Sequence, residues 1–293
     1  MHYTGTLYIN PYAPPSPLLE ITQGCSHNKC KFCTMYKDVP FRMSPMEWIE
    51  EDVQEIAQHD PHTTRLQIIG ADPFILSFDR MKEICDVIHR YLPDVKVMTM
   101  NARVTNIKSK TVDQLKELRK MGITEVYLGL ESGDDWTLDR IHKGYHANDI
   151  IEQVKKLDEA GIDYWFAFLN GAAGKSHSHE HAVNSAKVFN QLHPIFVGSG
   201  GLTLFPGTEL GEEAKRGEFD PLTEKEMMEE LKIFLENLEC DAQFFTHHTI
   251  AVNLNLSGNF LENKEKILKS LQYAIDNLDE EKLSNNRNNK RSL

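Results

Sequence analysis

Three of the chain's five cysteines fall within nine residues, as Cys25, Cys30 and Cys33 in the segment ITQGCSHNKCKFC. Thiols this close together point to a metal, and two chemistries suit them. Three thiolates can each bind one iron of a four-iron, four-sulfur cluster and leave the fourth iron open to an exchangeable ligand. A structural zinc site needs four ligands, and His27 could complete that set. The odd cysteine count and its crowding fit metal binding in a reducing compartment better than a disulfide framework. Cys85 lies in a helical pattern beside Ile84 and Val87, and Cys240 follows a helix end. Neither has a neighbouring cysteine, so both are read as packed or partly exposed thiols.

The elements that must carry this loop are legible from pattern. Strands are expected at 17–22, 66–69, 95–100, 125–130, 163–169 and 194–204, with amphipathic stretches between them. Ser44-Pro45-Met46-Glu47 reads as a capping serine, a first-turn proline and a glutamate three residues after the cap, opening a helix to about 59. Thr111 and Thr223 open helices by the same logic, and Gly122 and Gly161 sit where left-handed residues end them. The alternation of strand and helix, six times over, is that of βα units around a parallel sheet. Gly24 gives the cysteine loop a tight approach after the first strand.

At this point the sequence resembles the radical S-adenosylmethionine (radical SAM) superfamily, whose usual spacing is C-x3-C-x2-C with an aromatic residue before the last cysteine. Phe32 fits that place, while the first interval here is one residue longer. IIGADPF occupies the position of the family's GGEP motif, so that Gly70, Ala71, Asp72 and Pro73 match in turn, with Ala for the second Gly and Asp for Glu. MNARV supplies Asn101 and Arg103. LGLESGDDWTLDRIHKGY is similar to a segment of the branch that holds coproporphyrinogen dehydrogenases, Elongator catalytic subunits and methylthiotransferases, and supplies Glu131 and Ser132. LFPGTEL is also similar to that branch.

This resemblance, over about 18–210, implies an α/β fold: a partial TIM barrel, a (βα)6 core, with a C-terminal α/β extension. The expected boundaries are an N-terminal extension over 1–16, the core barrel over 17–210, the extension packed on it over 211–283, and a tail without structure over 284–293. It also implies a 4Fe-4S cluster on Cys25, Cys30 and Cys33, and S-adenosyl-L-methionine contacted by Phe32, Gly70, Ala71, Asp72, Asn101, Arg103, Glu131 and Ser132. Asp72 would bind the methionyl amine; Glu131 and Ser132 would face the ribose and carboxylate. An electron donor such as flavodoxin or ferredoxin is implied as partner. The expected function is reductive cleavage of S-adenosylmethionine to a 5′-deoxyadenosyl radical acting on a small organic substrate, a cofactor or tetrapyrrole. RNA modification is the alternative, and a non-catalytic iron-sulfur or zinc sensor is the reading from another class.

Charge and composition narrow the partners. Thirty-two basic against 44 acidic residues give a net charge of −12, which repels phosphate backbones and anionic lipid. No apolar run has the length of a membrane span and no signal core opens the chain, so a cytoplasmic location is expected. His177, His179 and His181 read as a solvated helix start rather than a metal run. His247 and His248 read as an edge-strand pair or as residues approaching substrate. NGAAGK (170–175) lacks phosphate-loop spacing and reads as a turn.

Overall fold

A computed structural model describes residues 1–9, 13–245 and 257–289. Strands β1 (Leu18–Glu20), β2 (Thr22–Gln23) and β3 (Arg42–Met43) precede helix α1 (Met46–His59). There follow β4 (Arg65–Ile69), α2 (Phe78–Tyr91), β5 (Val97–Ala102), α3 (Val104–Lys108), α4 (Val112–Lys120) and β6 (Ile123–Glu131). Then come α5 (Asp135–Arg140), α6 (Ala147–Ala160), β7 (Asp163–Asn170), α7 (Ser178–Phe189) and β8 (Phe196–Gly201). The last elements are α8 (Glu209–Lys215), α9 (Glu224–Asn237), β9 (Gln243–Phe245), β10 (Ser257–Asn259), α10 (Phe260–Asp276) and α11 (Glu280–Asn288).

All six expected strands form, and β9 and β10 bring the mostly parallel sheet to eight, in the order β1-β4-β5-β6-β7-β8-β9-β10. β10 pairs antiparallel with β9; β2 and β3 make a separate antiparallel ribbon. Parallel neighbours need crossovers, and the helices between the strands are those crossovers. The chain divides into two compact units that alternate along the sequence. The first comprises Met1–Asn28, Met35–Gly129 and Glu152–Tyr164; the second comprises Lys29–Thr34, Leu130–Ile151 and Trp165–Leu293.

In the first unit β4 is buried from Leu66 onward, the near-continuous apolar run of a parallel strand covered on both faces. Helix α2 opens on Ser77, whose hydroxyl accepts from the Arg80 N–H at 3.2 Å. It buries Met81, Ile84, Cys85 and Ile88, the i, i+3, i+4, i+7 stripe of an amphipathic helix. Cys85 is thus core, and burial pushes its thiol up to about 12. The Thr111 capping box forms, with Thr111 and Gln114 exchanging hydrogen bonds. Helix α1, however, has Pro45 and not Ser44 at its N-cap position, with no side-chain cap bond. Ser44 is held in extended chain by donating its N–H to Ile21 at 3.0 Å, so it cannot turn back over the first helical amides.

The second unit is built on an aromatic stack. Phe168 lies on Phe234 with centroids 4.1 Å apart, and Phe189 meets Phe234 edge-on. His181 stacks on Phe168; its Nδ1 lies 2.9 Å from Glu230, whose other oxygen accepts the Gly171 N–H at 2.5 Å. His181 is therefore a fully buried core residue and not part of a solvated helix start; only His179 is exposed. The tail expected to lack structure from 284 is helical through Asn288 in α11. Its Arg287 is buried against both oxygens of Glu224 and donates to the Leu202 carbonyl at 3.2 Å. His247 and His248 lie outside the described residues. Glu230→Ala removes the acceptor for two buried groups, each orphan costing about 1–3 kcal/mol; denaturant unfolding should show a loss of that size with an unchanged denaturant slope.

Candidate functional site

The first unit holds the opening of the cysteine loop. Gly24 has φ 69°, and a Cβ there would stand 2.7 Å from the carbonyl oxygens of Val39 and Pro40, so only glycine fits. Cys25 is half-buried and takes the Asn28 N–H on its sulfur at 3.4 Å. Burial pushes its thiol up, hydrogen bonds from the Asn28 and His27 amides and the charge of Arg103 oppose this, and the charge of Asp72 adds to it. The Ser26 N–H donates to one oxygen of Asp72 at 3.0 Å and its hydroxyl to the other. Asp72 is fully buried.

The turn that carries Asp72 is itself fixed. Gly70 has φ 138° and approaches Thr22 so closely that a Cβ would lie 2.5 Å from the Thr22 hydroxyl. Asn101 donates to the Gly70 carbonyl at 2.8 Å. Arg103 is buried at the start of α3, where its N–H is held by Asn106 at 2.7 Å. Ala71 is partly exposed beside these residues. Gly70, Asp72, Asn101 and Arg103 are therefore brought to one end of neighbouring strands, the end where parallel sheets place their chemistry. A cavity of about 490 Å³, counting space open to solvent, lies in this unit and is lined by Tyr8, Glu20, Thr22, Gln23, Tyr36 and Gly70 among others.

The second unit holds the rest of the loop and the end of β6. Lys31 donates its N–H to Ile141 at 3.1 Å and accepts from Leu210 at 3.0 Å, while its ammonium lies 2.6 Å from Glu213. Phe32 packs against the apolar group of Ile141, Leu169, Leu202 and Leu210. Cys33 donates its N–H to Cys30 at 3.4 Å. Glu131 has φ 65°, a left-handed strain of about 1–3 kcal/mol for a non-glycine residue of the kind that collects at functional sites, and faces the buried Lys143 ammonium at 3.4 Å.

Ser132 lies inside the fold. It is fully buried, its hydroxyl accepts the Asp134 N–H at 3.0 Å, and it lies 3.3 Å from Ser185. Asp134, which the sequence reading did not single out, gathers Thr137, Asn184 and His177 at 2.7–3.1 Å. The only sign of it in the sequence is the doubled aspartate after the Ser-Gly pair. His177 is drawn to Asp134 and His181 to Glu230, so the three histidines serve separate surroundings.

Among the described residues no three Cys, His, Asp or Glu side chains are gathered closely enough to hold a metal ion. What fits a cluster is the donor set: none of the five cysteines is in a disulfide, and three of them lie on one loop. Cys240, like Cys85, is buried and pushed up to about 12 by burial, which disfavours the thiolate a metal needs.

A model of the radical SAM superfamily matches residues 19–189. The heme chaperone HemW of Bacillus subtilis is 23% identical over 176 residues, 58% of this chain and 46% of that protein. The anaerobic magnesium-protoporphyrin IX monomethyl ester cyclase of Cereibacter sphaeroides is 26% identical over 52% of this chain and 24% of its own. This chain spans about half the length of HemW, and less of the cyclase. Among solved structures, the radical S-adenosylmethionine methyltransferase TsrM of Kitasatospora setae aligns with a TM-score of 0.57 at 19% identity, over 68% of this chain and 39% of that one. Coproporphyrinogen III oxidase (HemN) of Escherichia coli, a radical SAM enzyme, aligns with a TM-score of 0.55 at 15% identity, over 77% of this chain and 53% of that one. The likeness establishes the fold, the partial barrel expected from the sequence. No helix among the described residues is long and apolar enough to cross a membrane.

Asp134 yields a pH test. Burial pushes its carboxyl up, but the bonds from Asn184 and Thr137 and the charge of His177 outweigh that and hold it below the ordinary 3.8. A depressed carboxyl stabilises the fold fully above its unfolded pKa and loses that contribution as pH falls through the folded value. The difference in unfolding free energy between wild type and Asp134→Asn should shrink as pH falls below about pH 4.

Proposed function

Because the chain belongs to the radical SAM superfamily, we propose that Cys25, Cys30 and Cys33 hold a 4Fe-4S cluster whose open iron takes S-adenosylmethionine. The observation that carries this is three cysteines, none in a disulfide, on the loop between β2 and β3, inside the span matched by the family. When bound, such a cluster supplies one electron, breaking the sulfonium C–S bond to give methionine and a 5′-deoxyadenosyl radical that takes a hydrogen atom from substrate. The electron comes from a one-electron donor of the flavodoxin or ferredoxin class.

The chain's own residues position and shield. Gly24 and Ser26 fix the backbone on either side of Cys25, and Phe32 anchors the turn before Cys33 in apolar packing. Asn101 orients the Gly70 carbonyl, an acceptor suited to the methionyl amine, and Arg103 brings positive charge to the Cys25 end of the loop. Glu131, held in a strained backbone with its carboxylate against Lys143, is assigned to the ribose or methionyl end. Gly24, Gly70 and Arg103 are buried, and a polar contact made away from water is the stronger for it.

For substrate, a small organic molecule of the tetrapyrrole or cofactor class is favoured. HemW, the cyclase and HemN carry heme or porphyrin names, and the net charge of −12 disfavours RNA. RNA modification is the second reading, favoured by the likeness of residues in this chain to two archaeal tRNA uridine(34) acetyltransferases at 25–28% identity.

Anaerobic reconstitution tests the proposal. Cys25→Ala, Cys30→Ala and Cys33→Ala should each lose most iron and sulfide, while Cys85→Ala and Cys240→Ala retain them. Reduced wild type supplied with S-adenosylmethionine should release 5′-deoxyadenosine. Full zinc occupancy without iron contradicts the cluster, and stable iron without cofactor cleavage supports a sensor instead.

A further inference from the structure

Among the places where the sequence departs from the family's pattern are the lengthened Cys25–Cys30 interval and the aspartate at position 72, and the fold joins these two. Ser26 lies inside that interval, and both of its donors go to Asp72. Asp72 is fully buried while Ser26 is exposed, so the contact ties a surface loop to an acid that has no access to water. A buried carboxylate is expensive to leave without donors, which makes the tie selective for this loop position. On the other side of Cys25, Gly24 is locked against the Val39 and Pro40 carbonyls. Beyond Ser26, Asn28 adopts φ 47° and donates to the Tyr36 carbonyl at 2.8 Å. The turn under Asp72 is held in turn by Asn101 through Gly70. Cys25 is thus fixed from both neighbours.

We propose that Asp72 is a positioning residue for the metal-binding loop, its carboxylate holding Ser26 and through it the Cys25 thiol, in place of direct contact with the methionyl amine. This rests on the cluster reading above. A longer loop has more ways to stray from the geometry three thiolates must share, and a two-point tie at its second residue removes most of them. Bonds to a charged acceptor are the strong kind, so their loss should show in how fast the metal leaves.

The test is iron release from anaerobically reconstituted protein into excess ferrous chelator, followed by absorbance, alongside binding of S-adenosylmethionine. Asp72→Ala should release iron roughly tenfold or more faster than wild type. Ser26→Ala, which keeps the amide donor and sits at an exposed position, should show a smaller acceleration. The double variant should be no faster than Asp72→Ala, because the two residues form one tie, and Asp72→Asn, which still accepts one bond, should recover part of the retention. Thermal unfolding of the metal-free Ser26→Ala protein should match wild type, separating the loop effect from a folding defect. Wild-type release rates in Asp72→Ala with weakened cofactor binding would overturn the proposal and assign Asp72 to the amine, and additive effects in the double variant would overturn it as well. Wild type that takes up no iron would fail the cluster reading itself, a result visible before any variant is made.

Discussion

A loop that offers thiols to a metal cannot bury an apolar core of its own, so its shape must come from polar ties to elements that can. Here the first part of the loop, through Asn28, is held within one unit by Gly24, by the Ser26–Asp72 contact and by Asn28 itself. The part from Lys29 to Thr34 is held within the other unit by the backbone bonds of Lys31 and by Phe32 in apolar packing. Two of these ties lead to the ends of regular elements: Asp72 follows β4 and Ile141 follows α5. Within the first unit the parallel strands bring Gly70, Asp72, Asn101 and Arg103 to one end, and helices such as α1 and α2 bury an apolar face that keeps those strands in place.

The second unit shows the same economy of buried polar groups. Glu230 serves a histidine and a backbone amide, Asp134 serves a threonine, an asparagine and a histidine, and Glu224 serves Arg287. Each carboxylate sits where several donors converge, which is how an acid is kept inside an apolar core without being left unpaired. Glu131 is the exception in kind, because its backbone as well as its side chain is constrained. A residue held at positive φ beside a buried lysine needs the surrounding turn to over-determine it, and the Ser132–Ser185 and Gly133–Ser185 contacts that follow it do so.

Much of this was legible beforehand for reasons that can be named. The six strands show as apolar and β-branched runs, and the Thr111 and Thr223 caps show because a capping box is local in sequence. The cysteine triad shows because ligand type and spacing survive without a fold. What escaped depends on partners far apart in the chain. Ser26 and Asp72 are 46 residues apart and Arg287 and Glu224 are 63, and no local pattern announces either pair. The same holds for Ser44, whose bond to Ile21 overrides a good cap signal, and for His181, whose burial is set by Phe168 and Glu230. The neighbours of Ser132 are also set by the fold: its hydroxyl meets the Asp134 amide and the Ser185 hydroxyl, the latter 53 residues away.

The central claim is that the three-thiol loop leaves one iron open to S-adenosylmethionine. Electron paramagnetic resonance of the dithionite-reduced, iron-replete protein, recorded with and without the cofactor, tests this most directly. Binding at an open iron changes the electronic surroundings of the cluster, so the signal should shift when S-adenosylmethionine is added and should not shift with adenosine alone. A signal identical in the presence and absence of saturating cofactor would contradict the account.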